Sequence, residues 1–116
     1  MSVAFNGIDS LVVTFQAEDT AAAGVPAAMS GNDTVGKAAA GAAPVGIVLG
    51  KRKDYAAVQL RGYVQVKYTG TAPALGFASL VADGSGGLRV AGTGETGRNC
   101  LVVSVDTTGK TMGLFL

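Results

Sequence analysis

Histidine and tryptophan are absent from this chain, and cysteine occurs once. Without histidine, the commonest general base, the commonest metal ligand and every histidine-based triad are excluded together. A metal site would have to rest on carboxylates. The eight Asp and Glu residues are scattered, with Glu18-Asp19 the sole adjacent pair, and they show no calcium-loop spacing. The lone Cys100 precludes an internal disulfide, and in the apolar run of residues 100–105 it reads as a small buried hydrophobe rather than a catalytic thiol. Charge is scarce as well: Asp, Glu, Lys and Arg make up 15% of the chain, against roughly 25% in an ordinary soluble domain. No apolar run approaches the roughly 18–20 residues that a spanning helix needs, so the missing charge is not explained by membrane insertion. A surface partly covered by a partner explains it better.

What charge there is gives a formal net of +1. Lys51-Arg52-Lys53 beside Asp54 is the only basic cluster, and it reads as a solvated hairpin tip, not as a nucleic-acid footprint. Residues 1–15 carry neither a basic n-region nor an apolar h-region, which leads us to expect synthesis in the cytoplasm. The glycosylation-like Asn32-Asp33-Thr34 is then without consequence.

Across 116 residues, 48% of them hydrophobic, one domain with one modest core is expected. Over residues 55–69, Val58, Leu60, Val64, Val66 and Tyr68 alternate with Gln59, Arg61, Tyr63, Gln65 and Lys67, the pattern of one long half-buried strand. Gly62 sits mid-run on its apolar face, where a missing side chain marks a bulge, a bend or a close backbone approach. Val45, Ile47 and Leu49 precede it, and the polar residues 51–54 make the pair a hairpin. A second hairpin joins Leu101, Val103 and Val105, read as one side of a strand, to Met112, Leu114 and Leu116 through residues 106–110. Residues 77–82 and 88–91 flank the turn cluster Asp83-Gly84-Ser85-Gly86-Gly87 and make a third. Upstream, residues 11–17 read as a strand, and residues 25–30 and 34–38 flank a turn at Gly31-Asn32-Asp33.

The Ala-rich residues 37–43 lie between Gly36 and Pro44, with Gly41 inside, and are read as a loop with at most one turn. The expectation is therefore all-β: a small single-domain β-barrel, or compact sandwich, of about eight short strands. Its domain spans residues 11–116, preceded by an N-terminal arm at residues 1–10 that lacks strand periodicity.

Two glycine patterns invite nucleotide chemistry and are rejected. Gly92-Thr93-Gly94-Glu95-Thr96-Gly97 has dinucleotide-loop spacing, but a strand-like run follows where a helix must begin. Gly109-Lys110-Thr111 echoes the end of a P-loop, yet Ser104 stands where its first glycine would be. Tyr63 and Tyr68 fall on opposite faces of one strand by parity and make no stacking platform. No cofactor, no metal and no enzymatic activity are expected.

Gly24-Val25-Pro26, Pro44-Val45-Gly46-Ile47-Val48-Leu49 and Ala57-Val58-Gln59-Leu60-Arg61-Gly62-Tyr63-Val64 follow one another in a telling order. Ala74-Leu75-Gly76, Asp83-Gly84-Ser85-Gly86-Gly87-Leu88 and Leu101-Val102-Val103-Ser104-Val105-Asp106 continue it. From about Gly24 onward this order resembles the capsid decoration, or cement, proteins of tailed bacteriophages. The resemblance implies a β-barrel structural protein of the virion, made in the host bacterial cytoplasm, that binds the outer capsid surface. It implies the major capsid protein as partner and self-association, with a trimer favoured. In that setting Val3, Phe5 and Ile8 would be apolar anchors of the arm, and Leu11, Val12 and Val13 would continue the pairing onto a capsid sheet edge. Neither nucleic acid nor membrane is expected as a partner. The rival readings are another virion β-protein (a head–tail connector, tail or fibre subunit) and a carbohydrate-binding β-module. The 6% aromatic content speaks against the last.

Overall fold

The computed structural model describes residues 10–116, so Val3, Phe5 and Ile8 lie outside the described residues. The architecture is all-β. Ten strands follow in chain order: β1 (Leu11–Ala17), β2 (Pro26–Gly31), β3 (Thr34–Lys37), β4 (Gly46–Arg52), β5 (Tyr55–Arg61), β6 (Tyr63–Lys67), β7 (Gly76–Ala82), β8 (Leu88–Val90), β9 (Arg98–Asp106) and β10 (Thr111–Phe115). The first five close into a barrel in the order β1-β3-β2-β4-β5, and the last five form a sheet ordered β6-β10-β9-β7-β8. A parallel bridge between Tyr68 and Leu88 draws the two outer strands of that second sheet together at one end. The radius of gyration, 13.4 Å, is that of one compact domain of this length, about 13 Å.

The long alternating run is two strands rather than one. Its periodicity survives, but Gly62, at a φ of +105°, turns the chain out of the barrel and into the second sheet. The inward residues on the two sides of the bend serve different cores. Ala56 and Val58 pack with Ala27, Val35 and Val48 inside the barrel. Val64, Val66 and Tyr68 pack with Leu80, Leu88, Cys100, Val102, Met112 and Leu114. Ile47 of β4 belongs to the second cluster, so the two cores meet across β4.

The bend is built from polar groups. Gln59, 7% exposed and the only buried polar residue among those described, donates from Nε2 to the carbonyls of Arg61 at 3.0 Å and Tyr63 at 3.1 Å. One side-chain amide thus satisfies backbone acceptors on both sides of Gly62, which a bent strand would otherwise leave bare. From the second sheet, Arg98 donates through Nη1 to the Val45 carbonyl at 2.7 Å and the Pro44 carbonyl at 3.4 Å, and through Nη2 to the Leu60 carbonyl at 2.8 Å. Leu60 needs that donor. The β1–β5 register passes from Leu11↔Arg61 to Val12↔Gln59, so Leu60 is the extra residue of a bulge.

The hairpins form where the turn residues predicted them. Asp83 Oδ1 accepts from the amides of Ser85 (2.6 Å) and Gly87 (3.0 Å), and Asp106 Oδ1 from those of Thr108 (3.0 Å) and Gly109 (3.1 Å). Both carboxylates fold the chain back by bonding amides two to four residues on. One expectation fails in β9: Leu101, Val103 and Val105 do not share a face. The pairing jumps from Ser104↔Gly113 to Val102↔Leu114, leaving Val103 as the extra residue of a bulge. Cys100 and Val102 therefore point inward on one side of it, and Val105 packs on the same core from the other.

Gly62→Ala forces a Cβ into a φ that L-residues rarely adopt and within 2.9 Å of the Ser10 Cα, which we expect to cost roughly 1–3 kcal/mol. Gln59→Leu, which strands the Arg61 and Tyr63 carbonyls, should cost about 1–3 kcal/mol. Urea unfolding checks both: the midpoint falls while the slope holds, and a wild-type midpoint in either variant contradicts the role given to the bend.

Candidate docking surface

The second sheet sets large apolar side chains in line on its outward face. In the second sheet, Phe77 pairs with Leu101, Leu101 with Phe115, and Phe115 with Tyr63. Directly opposed residues share a face, so these four side chains form one row across β7, β9, β10 and β6. Phe115 and Tyr63 meet edge to face with centroids 5.6 Å apart. At the other end of the row Phe77 is 75% exposed, and Leu75 beside it 69%. Single exposed apolar residues are ordinary, whereas two large ones side by side mark a candidate contact surface.

The barrel presents a second feature. β1 pairs with β5 over residues 11–16 but with β3 only at Gln16 and Ala17. The other edge of residues 11–15 has no strand beside it among the described residues. Leu11 and Val12, at 47% and 46% exposure, flank that open edge, while Val13 is half-buried. The three residues expected to continue the pairing thus belong to a barrel strand with one edge engaged and the other open.

Beside this edge lies a cleft of about 600 Å³ at the mouth of the barrel. Leu11 and Phe15 of β1, Met29 of β2, Val45 and Leu60 give it apolar walls, Arg98 sets its guanidinium on the Val45 and Leu60 carbonyls, and Arg61 also lines it. Among the described residues no carboxylate side chain lines it, and neither arginine makes an ion pair.

Several other polar groups serve the fold. Glu95 takes both Arg89 Nη1 (2.6 Å) and Nη2 (2.7 Å) and accepts the Gly92 amide at 2.7 Å. The Arg89 bonds, then the Gly92 amide, hold its carboxyl down to a pKa of about 2. This clasp closes the glycine-spaced loop of residues 92–97, which runs directly into β9 as expected. A Cβ at Gly97 would meet the Leu80 carbonyl oxygen at 2.7 Å, so the third glycine serves strand packing and not phosphate. Lys51 donates from Nζ to the Glu18 carbonyl at 2.9 Å. Burial pushes the Cys100 thiol pKa up against the opposing charge of Arg98; such a thiol is a poor nucleophile. Among the described residues, no three His, Cys, Asp or Glu side chains gather to hold a metal ion.

None of Met29, Arg61, Leu75, Phe77 and Arg98 is expected from the sequence as a site residue. The alternation of Phe77 and Ser79 with Ala78 and Leu80 carried the signal for Phe77. The cleft carried none, because its walls come from strands far apart in the chain. No protein-family model matches the chain, and no curated protein is significantly similar to it.

Because the Glu95 pKa in the folded chain lies below its ordinary value of 4.5, the clasp stabilises fully above that value and is lost as pH falls through about 2. Amide exchange at Gly92 should stay slow down to about pH 3 in the wild type. In Glu95→Gln it should be fast throughout and lack that acid transition; an identical profile in both would contradict the clasp.

Proposed function

We propose that this chain is a non-catalytic structural protein of a tailed-phage virion that binds the outer capsid surface and clamps neighbouring capsid subunits. The observation that carries this reading is the combination of the exposed Leu75 and Phe77 on one sheet with an apolar-flanked edge in the other, at residues 11–15, that no described strand pairs. A protein facing water on all sides has reason to blunt both. One that spends its working life against a shell has reason to keep them. The order of segments from Gly24 onward, similar to that of decoration proteins, and the sparse charge support the same role.

The work of a clamp follows from geometry. Copies arrayed on a symmetric shell each need only a modest interface, because detaching one subunit from several neighbours requires breaking contacts together. The edge of residues 11–15 that no described strand pairs offers main-chain donors and acceptors for one added strand, and residues 1–10 would be the arm that joins it. Leu75 and Phe77, exposed at the β7 end of the row, offer apolar contacts for a second copy, in a trimer, or for a capsid subunit.

Co-sedimentation with heads of the encoding phage, expanded and unexpanded, tests the proposal. Saturable binding at a fixed ratio to the major capsid protein is expected, and it should weaken when residues 1–10 are removed. Phe77→Ser with Leu75→Ser should leave the unfolding midpoint within about 0.5 kcal/mol of wild type while lowering either self-association or head binding. Wild-type protein that binds neither head form removes the decoration reading.

A further inference from the structure

We propose that the cleft at the barrel mouth seats an apolar segment of the capsid protein bearing an acidic side chain, with its carboxylate held between Arg61 and Arg98. The inference rests on the decoration reading for its partner and on charge for its chemistry. Phe15, Val45 and Leu60 bring apolar wall from the barrel core, and Leu11 and Met29, each 47% exposed, widen it toward solvent. A wholly apolar occupant would satisfy that lining and leave Arg61 and Arg98 without a carboxylate partner among the described residues.

Arg98 is the stronger half of the site. A guanidinium has five N–H donors, and the carbonyls of Pro44, Val45 and Leu60 engage three. Those bonds fix the group in place without neutralising it. A carboxylate arriving there meets a cation already oriented and partly desolvated, so little side-chain entropy is lost on binding. Arg61 is exposed and makes no side-chain hydrogen bond among those described; it can swing toward the same carboxylate from the end of β5. Opposite charge brought to this half-buried position is worth more than at an open surface.

Arg61→Glu tests the site without touching the Arg98 bonds, and Arg52→Glu at the β4–β5 hairpin tip makes the same charge change outside the cleft. Head binding should weaken at least about tenfold in the first variant and stay at the wild-type level in the second. If wild-type protein binds heads and Arg61→Glu binds them equally well, the cleft proposal fails and the decoration reading stands; if wild-type protein binds no heads, both fail. Octanoate and octanol serve as soluble probes of the chemistry by amide chemical-shift mapping on the full chain. Octanoate should shift Leu11, Met29, Val45, Leu60 and Arg98, with octanol and the Arg61→Glu variant giving little. Equal shifts from both probes overturn the carboxylate assignment. Octanoate shifts seen only after removal of residues 1–9 would assign the cleft to the chain's own N-terminal segment. A dimer abolished by Arg61→Glu would assign it to a second copy; either result overturns the proposal.

Discussion

Everything in this molecule depends on carrying one chain from a closed barrel into a second sheet without leaving backbone polar groups bare. The crossing occurs at Gly62, where a positive φ turns the chain. Such a turn breaks two ladders at once, and a buried unpaired carbonyl costs as much as a lost hydrogen bond. Gln59 resolves one side by spanning the bend from Arg61 to Tyr63. Arg98 resolves the other by reaching from β9 to Leu60, Val45 and Pro44. The joint is polar because its task is to satisfy acceptors, and it is flanked by two largely apolar cores.

This joint also explains why two small cores behave as one domain. A five-stranded barrel holding mostly Ala and Val buries little apolar area on its own, and small cores are marginal. Ile47, on β4 yet packed in the second core, and Arg98, on β9 yet bonded to barrel carbonyls, place each sheet's stability partly in the other's keeping. The larger side chains Leu80, Leu88, Met112 and Leu114 supply the bulk that the barrel lacks.

Much of the fold was legible in the sequence, because turns and alternation are local. Asp83 and Asp106 announced their hairpins, and nearly every apolar run became a strand. The strand at residues 55–69 was misjudged for a physical reason. A period of two persists through a glycine bend, so alternation cannot say that Val58 and Val64 face different cores. The Val103 bulge was hidden likewise, since a single extra residue is visible only against its partner strand. Leu11, Val12 and Val13 lie on a strand as expected, but that no described strand covers one of its edges depends on β3 pairing at only two residues, and pairing length is a tertiary fact. The arm residues Val3, Phe5 and Ile8 are outside the described region. Arg61 and Arg98 looked like unremarkable strand residues, because a cleft assembled from β1, β2, β5 and β9 leaves no motif.

The joint and the cleft share Leu60, Arg61 and Arg98, and this restricts what the cleft can accept. An occupant that drew the Arg98 N–H groups away from the Leu60 or Val45 carbonyls would strand those acceptors and lose about as much as it gained. It must instead use the donors the carbonyls leave, which favours a compact acceptor approaching from the solvent side, where Arg61 can also reach. A carboxylate has that shape, and its several lone-pair sites can accept from two guanidinium groups together. The bulge at Leu60 therefore has a double consequence. By releasing one carbonyl from the β1–β5 ladder it recruits Arg98 to close the fold, and in doing so it fixes a cation at the mouth of the barrel.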